Sequence, residues 1–129
     1  MKTILVAEDE QFTRWSVSEF LRRDHFDVTE AEDGLTAIKL IDQETFDAVV
    51  SDYLMPGGVN GLDVLRHYHK LWPEKLAVLV TGQDGVTKSG VEAIGGIYLR
   101  KPVFLEELLG ILSSRIHEDD HTSSFHEQT

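Results

Sequence analysis

Five times along this chain a short strand-like segment is followed by a stretch whose apolar residues recur at helical spacing. No other feature narrows the possible folds as much. Ile4-Leu5-Val6-Ala7, Ala48-Val49-Val50, Leu76 to Val80 and Ile97-Tyr98-Leu99 are continuous apolar runs, as strands buried on both faces should be. Asp27 to Ala31 instead alternates polar and apolar residues, which marks a strand at or near a sheet edge. Between and after these runs, helical periodicity covers Gln11–Arg23, Gly34–Gln43, a segment around Leu62–Tyr68 that stops before Pro73, Val86–Ile94 and Phe104–Ile116.

Strand followed by helix, repeated, implies a parallel sheet covered on both faces, because a parallel crossover needs a connection of helix length. At 129 residues the chain is sized for one hydrophobic core. Right-handed crossovers leave few topologies, so the expected fold is α/β: a doubly wound, five-stranded parallel sheet in the flavodoxin-like order 2-1-3-4-5 with five helices. The domain is expected to span residues 1–116, with 117–129 a polar, acidic and unfolded tail. In such sheets ligands bind beyond the carboxyl ends of the strands, which directs attention to the residues there.

Composition removes several alternatives. There is no cysteine, hence no disulfide, thiolate metal site or thiol nucleophile. The net charge is −11, of which −4 lies in the tail (Glu118, Asp119, Asp120 and Glu127), leaving −7 on the rest. That balance argues against nucleic acid or an anionic membrane as partner. The apolar run at the N-terminus is too short for a signal peptide or membrane span, so a cytoplasmic location is expected.

The first strand ends in Glu8-Asp9, the third in Asp52, the fourth in Thr81, and the fifth is followed by Lys101-Pro102. Each has an ordinary explanation. Glu8 or Asp9 could favour the dipole of the first helix, Asp52 could begin a turn, Thr81-Gly82 could be turn chemistry, and Lys101 a solvated cation. Their coincidence on one edge is harder to explain that way. Three crowded carboxylates must raise a pKa or bind a cation, and an all-oxygen site suits Mg²⁺ or Mn²⁺. A carboxylate beside such an ion can act as nucleophile toward a phosphoryl group, with Lys101 and the Thr81 hydroxyl available to its oxygens.

The motifs Ile4-Leu5-Val6-Ala7-Glu8-Asp9-Glu10, Ser51-Asp52-Tyr53-Leu54-Met55-Pro56, Val78-Leu79-Val80-Thr81-Gly82 and Tyr98-Leu99-Arg100-Lys101-Pro102, in this order, carry a family signature. Over residues 2–116 the chain resembles the receiver domain of bacterial two-component response regulators. The resemblance implies that Asp52 is the phospho-acceptor and that Glu8, Asp9, Asp52 and the Leu54 backbone carbonyl hold Mg²⁺. It further implies that Lys101 binds the phosphoryl group, that Thr81 and Tyr98 are the switch residues, and that the Lys101-Pro102 bond is cis. The implied donor is a histidine kinase or histidine phosphotransfer protein. The implied catalysis is limited to the domain's own aspartyl phosphorylation and dephosphorylation.

Departures from the family pattern carry their own expectations. A Glu-Asp pair replaces the commoner Asp-Asp, so Glu8 should reach the metal through water. One extra residue in Gly57-Gly58-Val59 resembles receivers of hybrid kinases, and Thr81 to Lys101 is two residues short, so the fourth helix should be truncated. Leu54 and Gln83 occupy positions that tune dephosphorylation, and an apolar Leu54 should give no help to an attacking water. Rival readings are weaker. Gly82 to Ser89 approaches a phosphate-cradling loop but has Thr87 where a glycine is needed before the lysine. An aspartate-nucleophile phosphatase would need a carboxylate at Leu54. His67 and His69 lie two apart and face different ways on a helix; His117 and His121 fall in the tail. Trp15 and the other aromatics at helical spacing read as core. The alternative from a different class is a degenerate receiver that binds a partner without phosphorylation.

Overall fold

Alternation along each strand decides which layer its side chains enter. In the computed structural model, which describes residues 1–82 and 85–128 with side chains through Ile116, Ile4 and Val6 of β1 (Thr3–Ala7) enter one apolar layer and Leu5 and Ala7 the other. Four more strands do the same: β2 (Asp27–Ala31), β3 (Ala48–Asp52), β4 (Leu76–Thr81) and β5 (Ile97–Arg100). They pair in parallel in the order β2-β1-β3-β4-β5, with registers such as Leu5↔Val49 and Val50↔Val78. This is the expected topology, and the polar-alternating β2 is indeed an edge.

The helices cover the two faces. Leu21 of α1 (Gln11–Arg23) and Leu108, Leu112 and Ile116 of α5 (Leu105–Gln128) lie over Ile4, Val6, Val50 and Val78. Ala37 and Ile41 of α2 (Gly34–Gln43), Val64, Leu65 and Tyr68 of α3 (Gly61–Leu71) and Val91 of α4 (Lys88–Ala93) lie over Leu5, Val49 and Leu79. Starts are set by side chains that satisfy orphan amides. Glu10 accepts from Phe12 N and Thr13 N, Asp33 from Thr36 N, and Asn60 and Asp63 form a reciprocal capping box.

The fourth helix is short, as its spacing indicates: six residues with one buried side chain, Val91. It ends at Ala93, and just past its cap Gly95 has a φ of +79° that suits glycine, its missing Cβ leaving room for the His69 ring. His67, on another side of α3, meets Asp42 at 2.7 Å, so the two histidines do diverge. The backbone of α5 runs on to Gln128, and among the described side chains the last apolar one it seats in the core is Ile116. The side chains of 117–129, read above as a tail and including His117 and His121, lie outside the described residues, as does Gln83.

Candidate functional site

The two-residue alternation that builds the core also aims the site. On the α1–α5 face, Val6 is followed two residues later by Glu8, Val50 by Asp52, and Leu99 by Lys101. Where the apolar residues stop, the same face turns acidic with one lysine. On the opposite face, Leu79 is followed by Thr81, which is buried at the end of β4. Tyr98 faces that second layer too, half-buried and paired in register with Leu79. The five strand-end residues are therefore split: Glu8, Asp52 and Lys101 share a face, Thr81 lies on the other, and Asp9 is exposed at the start of the β1–α1 loop.

One carboxylate oxygen from each of Glu8, Asp9 and Asp52 lies within 4.8 Å of the others. Lys101 Nζ is 3.3 Å from Asp52 Oδ1 and 3.6 Å from Glu8 Oε1. The Lys101 amide donates to the Thr81 carbonyl at 3.0 Å, and the Lys101-Pro102 bond is cis, as the family pattern implies. Asp52 Oδ1 also accepts from the Tyr53 amide at 2.9 Å, and the Asp52 carbonyl accepts from Ser51 Oγ at 2.8 Å. Gly61 sits against that carbonyl, where any Cβ would collide. Leu54 is exposed in the loop beyond.

Glu8 is buried, and its pKa is pushed up from 4.5 to about 7 by burial and then by the Asp52 charge. The Glu10 amide and Lys101 pull it down by less. Burial also opposes the charge on Lys101, but Asp52 and Glu8 outweigh it and raise that pKa. The pocket thus has more negative charge than one ammonium balances. Three carboxylates without a nitrogen or sulfur donor fit a hard divalent cation such as Mg²⁺ or Mn²⁺.

Two features were not legible along the chain. Trp15 is half exposed and Phe12 largely so, with ring centroids 6.2 Å apart, which corrects the expectation that they pack in the core. On α1, Phe12 stands about 180° and Trp15 about 120° around the axis from buried Leu21, so both lie off the face that packs on the sheet. Between α1 and α5 a cleft of about 590 Å³ runs from Phe12 and Val17 past Leu105 and Leu108 to Glu8, Asp52 and Lys101. The second feature is Arg14, whose Nη1 donates to the Glu8 carbonyl at 2.8 Å. Its one sequence signal is a cation near a helix start, where the dipole disfavours it.

The chain matches the family model for the response regulator receiver domain over residues 4–113. It is 36% identical over 108 residues to the response regulator MprA of Mycobacterium sp. (strain KMS), covering 82% of this chain and 46% of that protein. A cyclic di-GMP phosphodiesterase of Thermotoga maritima is 33% identical over 108 residues, covering 82% of this chain and 28% of its own length. The chain therefore spans less than half the length of these curated relatives. Among solved structures, a response regulator receiver domain protein (CheY-like) from Methanospirillum hungatei JF-1 aligns with a TM-score of 0.86 at 25% identity, covering 95% of this chain and 98% of that one. The response regulator protein TrrA of Thermotoga maritima, in complex with Mg(2+)-BeF, aligns with a TM-score of 0.79 at 28% identity, covering 89% and 99%.

Proposed function

Since this chain belongs to the response regulator receiver domain family, we propose that Asp52 accepts a phosphoryl group from a phosphohistidine donor and that the resulting charge switches a protein-docking face. The observation that carries the reading is the acidic cluster: three carboxylate oxygens within 4.8 Å of one another, with Lys101 Nζ 3.3 Å from the proposed nucleophile. An Asp52 carboxylate oxygen forms the new bond to phosphorus, and the donor's P–N bond breaks with its electron pair returning to the imidazole. Glu8, Asp9, Asp52 and the Leu54 carbonyl are the proposed holders of Mg²⁺, which when bound neutralises charge between the carboxylates and the phosphoryl oxygens. Lys101 exchanges its pairing with Asp52 for a phosphoryl oxygen. Thr81 offers its hydroxyl to another, and Tyr98, in the same layer as Thr81, repacks with it.

TrrA, solved with Mg(2+)-BeF, supports assigning a divalent ion and a phosphoryl-like group to this pocket together. The donor is a histidine kinase or phosphotransfer protein, and the chain works in the cytoplasm, alone or as part of a hybrid kinase. Among the described residues no helix is long and apolar enough to cross a membrane. With Leu54 unable to orient water, the acyl phosphate is expected to be long-lived. Acetyl phosphate with Mg²⁺ should add one hydroxylamine-labile phosphoryl mass, abolished by Asp52→Asn and by EDTA. Absence of that gain on the wild type would leave the phosphorylation-independent binding module.

A further inference from the structure

The β1–α1 loop carries two of the repelling carboxylates, Glu8 and Asp9, and something must hold its backbone while an oxygen of each stays within 4.8 Å of the other and of one on Asp52. The β2 edge does part of this, for the Ala31 carbonyl accepts from the Glu8 amide at 3.0 Å. The rest comes from Arg14, the fourth residue of α1. Its Nη1 lies 2.8 Å from the Glu8 carbonyl and 3.5 Å from that of Asp9, and its Nε pairs with Glu30 Oε1 at 3.3 Å. The side chain is 15% exposed, so little water competes. Glu30 cannot swing away, because its other oxygen is held by Arg22 Nη2 at 3.1 Å. Arg22 Nη2 is itself fixed on the Val28 carbonyl at 3.0 Å, and its Nη1 on Glu19 at 2.8 Å.

We infer that Arg14 is a positioning residue for the acidic pair: clamped by Glu30, it grips the Glu8 and Asp9 carbonyls so that both carboxylates stay aimed at one divalent cation. This rests on the metal-holding role proposed above for Glu8 and Asp9. A planar guanidinium is suited to the task, because one face of donors can serve the loop while another serves Glu30. Simple electrostatics makes the opposite forecast. A cation behind an acidic pocket repels Mg²⁺, so by charge alone its removal should tighten binding. Only if Arg14 orients the ligands does its removal weaken the site.

Calorimetric titration of Mg²⁺ into the metal-free protein at pH 8, above the Glu8 pKa of about 7, separates the two. Arg14→Met should weaken Mg²⁺ binding about tenfold, the lower end of what lost ligand-orienting contacts cost. Arg14→Lys keeps the charge and should stay weakened, so it serves where Arg14→Met melts too low; Glu30→Gln should show a smaller loss, in the direction that charge alone also gives. With acetyl phosphate, the variants should need more Mg²⁺ yet reach the wild-type rate at saturation, a split that a general loss of fold would not produce. Unchanged or tighter Mg²⁺ binding in folded Arg14→Met, or in folded Arg14→Lys where the first variant melts too low, beside a wild type that binds, overturns the role of Arg14 alone. A wild type that takes up no Mg²⁺ overturns the metal-holding reading, and this inference falls with it.

Discussion

The two halves of the carboxyl edge are built to different standards. Around β1 and β3, the helix that follows Asp52 is α3, with eleven residues, a reciprocal cap at Asn60 and Asp63, and Gly61, Val64, Leu65 and Tyr68 buried. Tyr68 adds a buried hydrogen bond to the Phe46 carbonyl at 2.7 Å, and the Gly61 amide ties back to the Tyr53 carbonyl at 2.8 Å. Around β4 and β5, α4 has six residues, one buried side chain and an exposed cap at Thr87. The first half must hold carboxylates that repel one another, and only a well-braced frame can do so. The second half carries Thr81, buried, and Tyr98, half-buried, on the other sheet face beside the short α4.

The largest expected difference between the halves lies in their glycines. Gly61→Ala would drive a Cβ into the Asp52 carbonyl and the Leu79 side chain, and should cost roughly 3 kcal/mol or more in urea unfolding. Gly85→Ala meets open space, and its φ of +92° should cost only about 1 to 2 kcal/mol. A costlier change at Gly85 would break the comparison.

Next comes charge. Because the Glu8 pKa is raised from 4.5 to about 7, the folded state binds more protons than the unfolded one between those values. Stability of the metal-free protein should therefore fall as pH rises from about 4.5 to 7, by on the order of 2 kcal/mol, and stay low above. Glu8→Gln should remove that slope and raise stability at pH 8. Mg²⁺ binding should correspondingly strengthen with pH up to about 7, as the proton it displaces becomes easier to lose. Melting curves across pH that do not differ between wild type and Glu8→Gln would mean the acidic half bears no such strain.

The smallest effect compares two caps of the same kind. Asn60→Ala should lower global stability by about 1 kcal/mol. Thr87→Ala should lower it by less than about 0.5 kcal/mol yet speed amide exchange across α4, which opens locally. Equal losses at the two sites would show that α4 is as tightly joined to the fold as α3.

Much of the site is legible because strands obey a two-residue rule. Continuing the core alternation past Val6, Val50 and Leu99 lands on Glu8, Asp52 and Lys101, so their convergence follows from strand ends and sheet order alone. Helix spans over Gln11–Arg23 and Gly34–Gln43 are marked by local caps and apolar spacing. Aromatic content alone misleads for Trp15 and Phe12, which lie about 120° and 180° around α1 from buried Leu21 and so stay exposed. Arg14 stayed hidden because its partners, Glu30 and the Glu8 carbonyl, lie on other elements.

Order along the chain was enough to specify an α/β sheet with an acid-rich carboxyl edge, since alternation and turn chemistry act between near neighbours. Packing in three dimensions decided the rest: a Glu8 that titrates near neutrality, a cleft between α1 and α5, and a guanidinium behind the loop. Desolvation and charge coupling sum over groups far apart in sequence, and those groups become neighbours only when the sheet assembles.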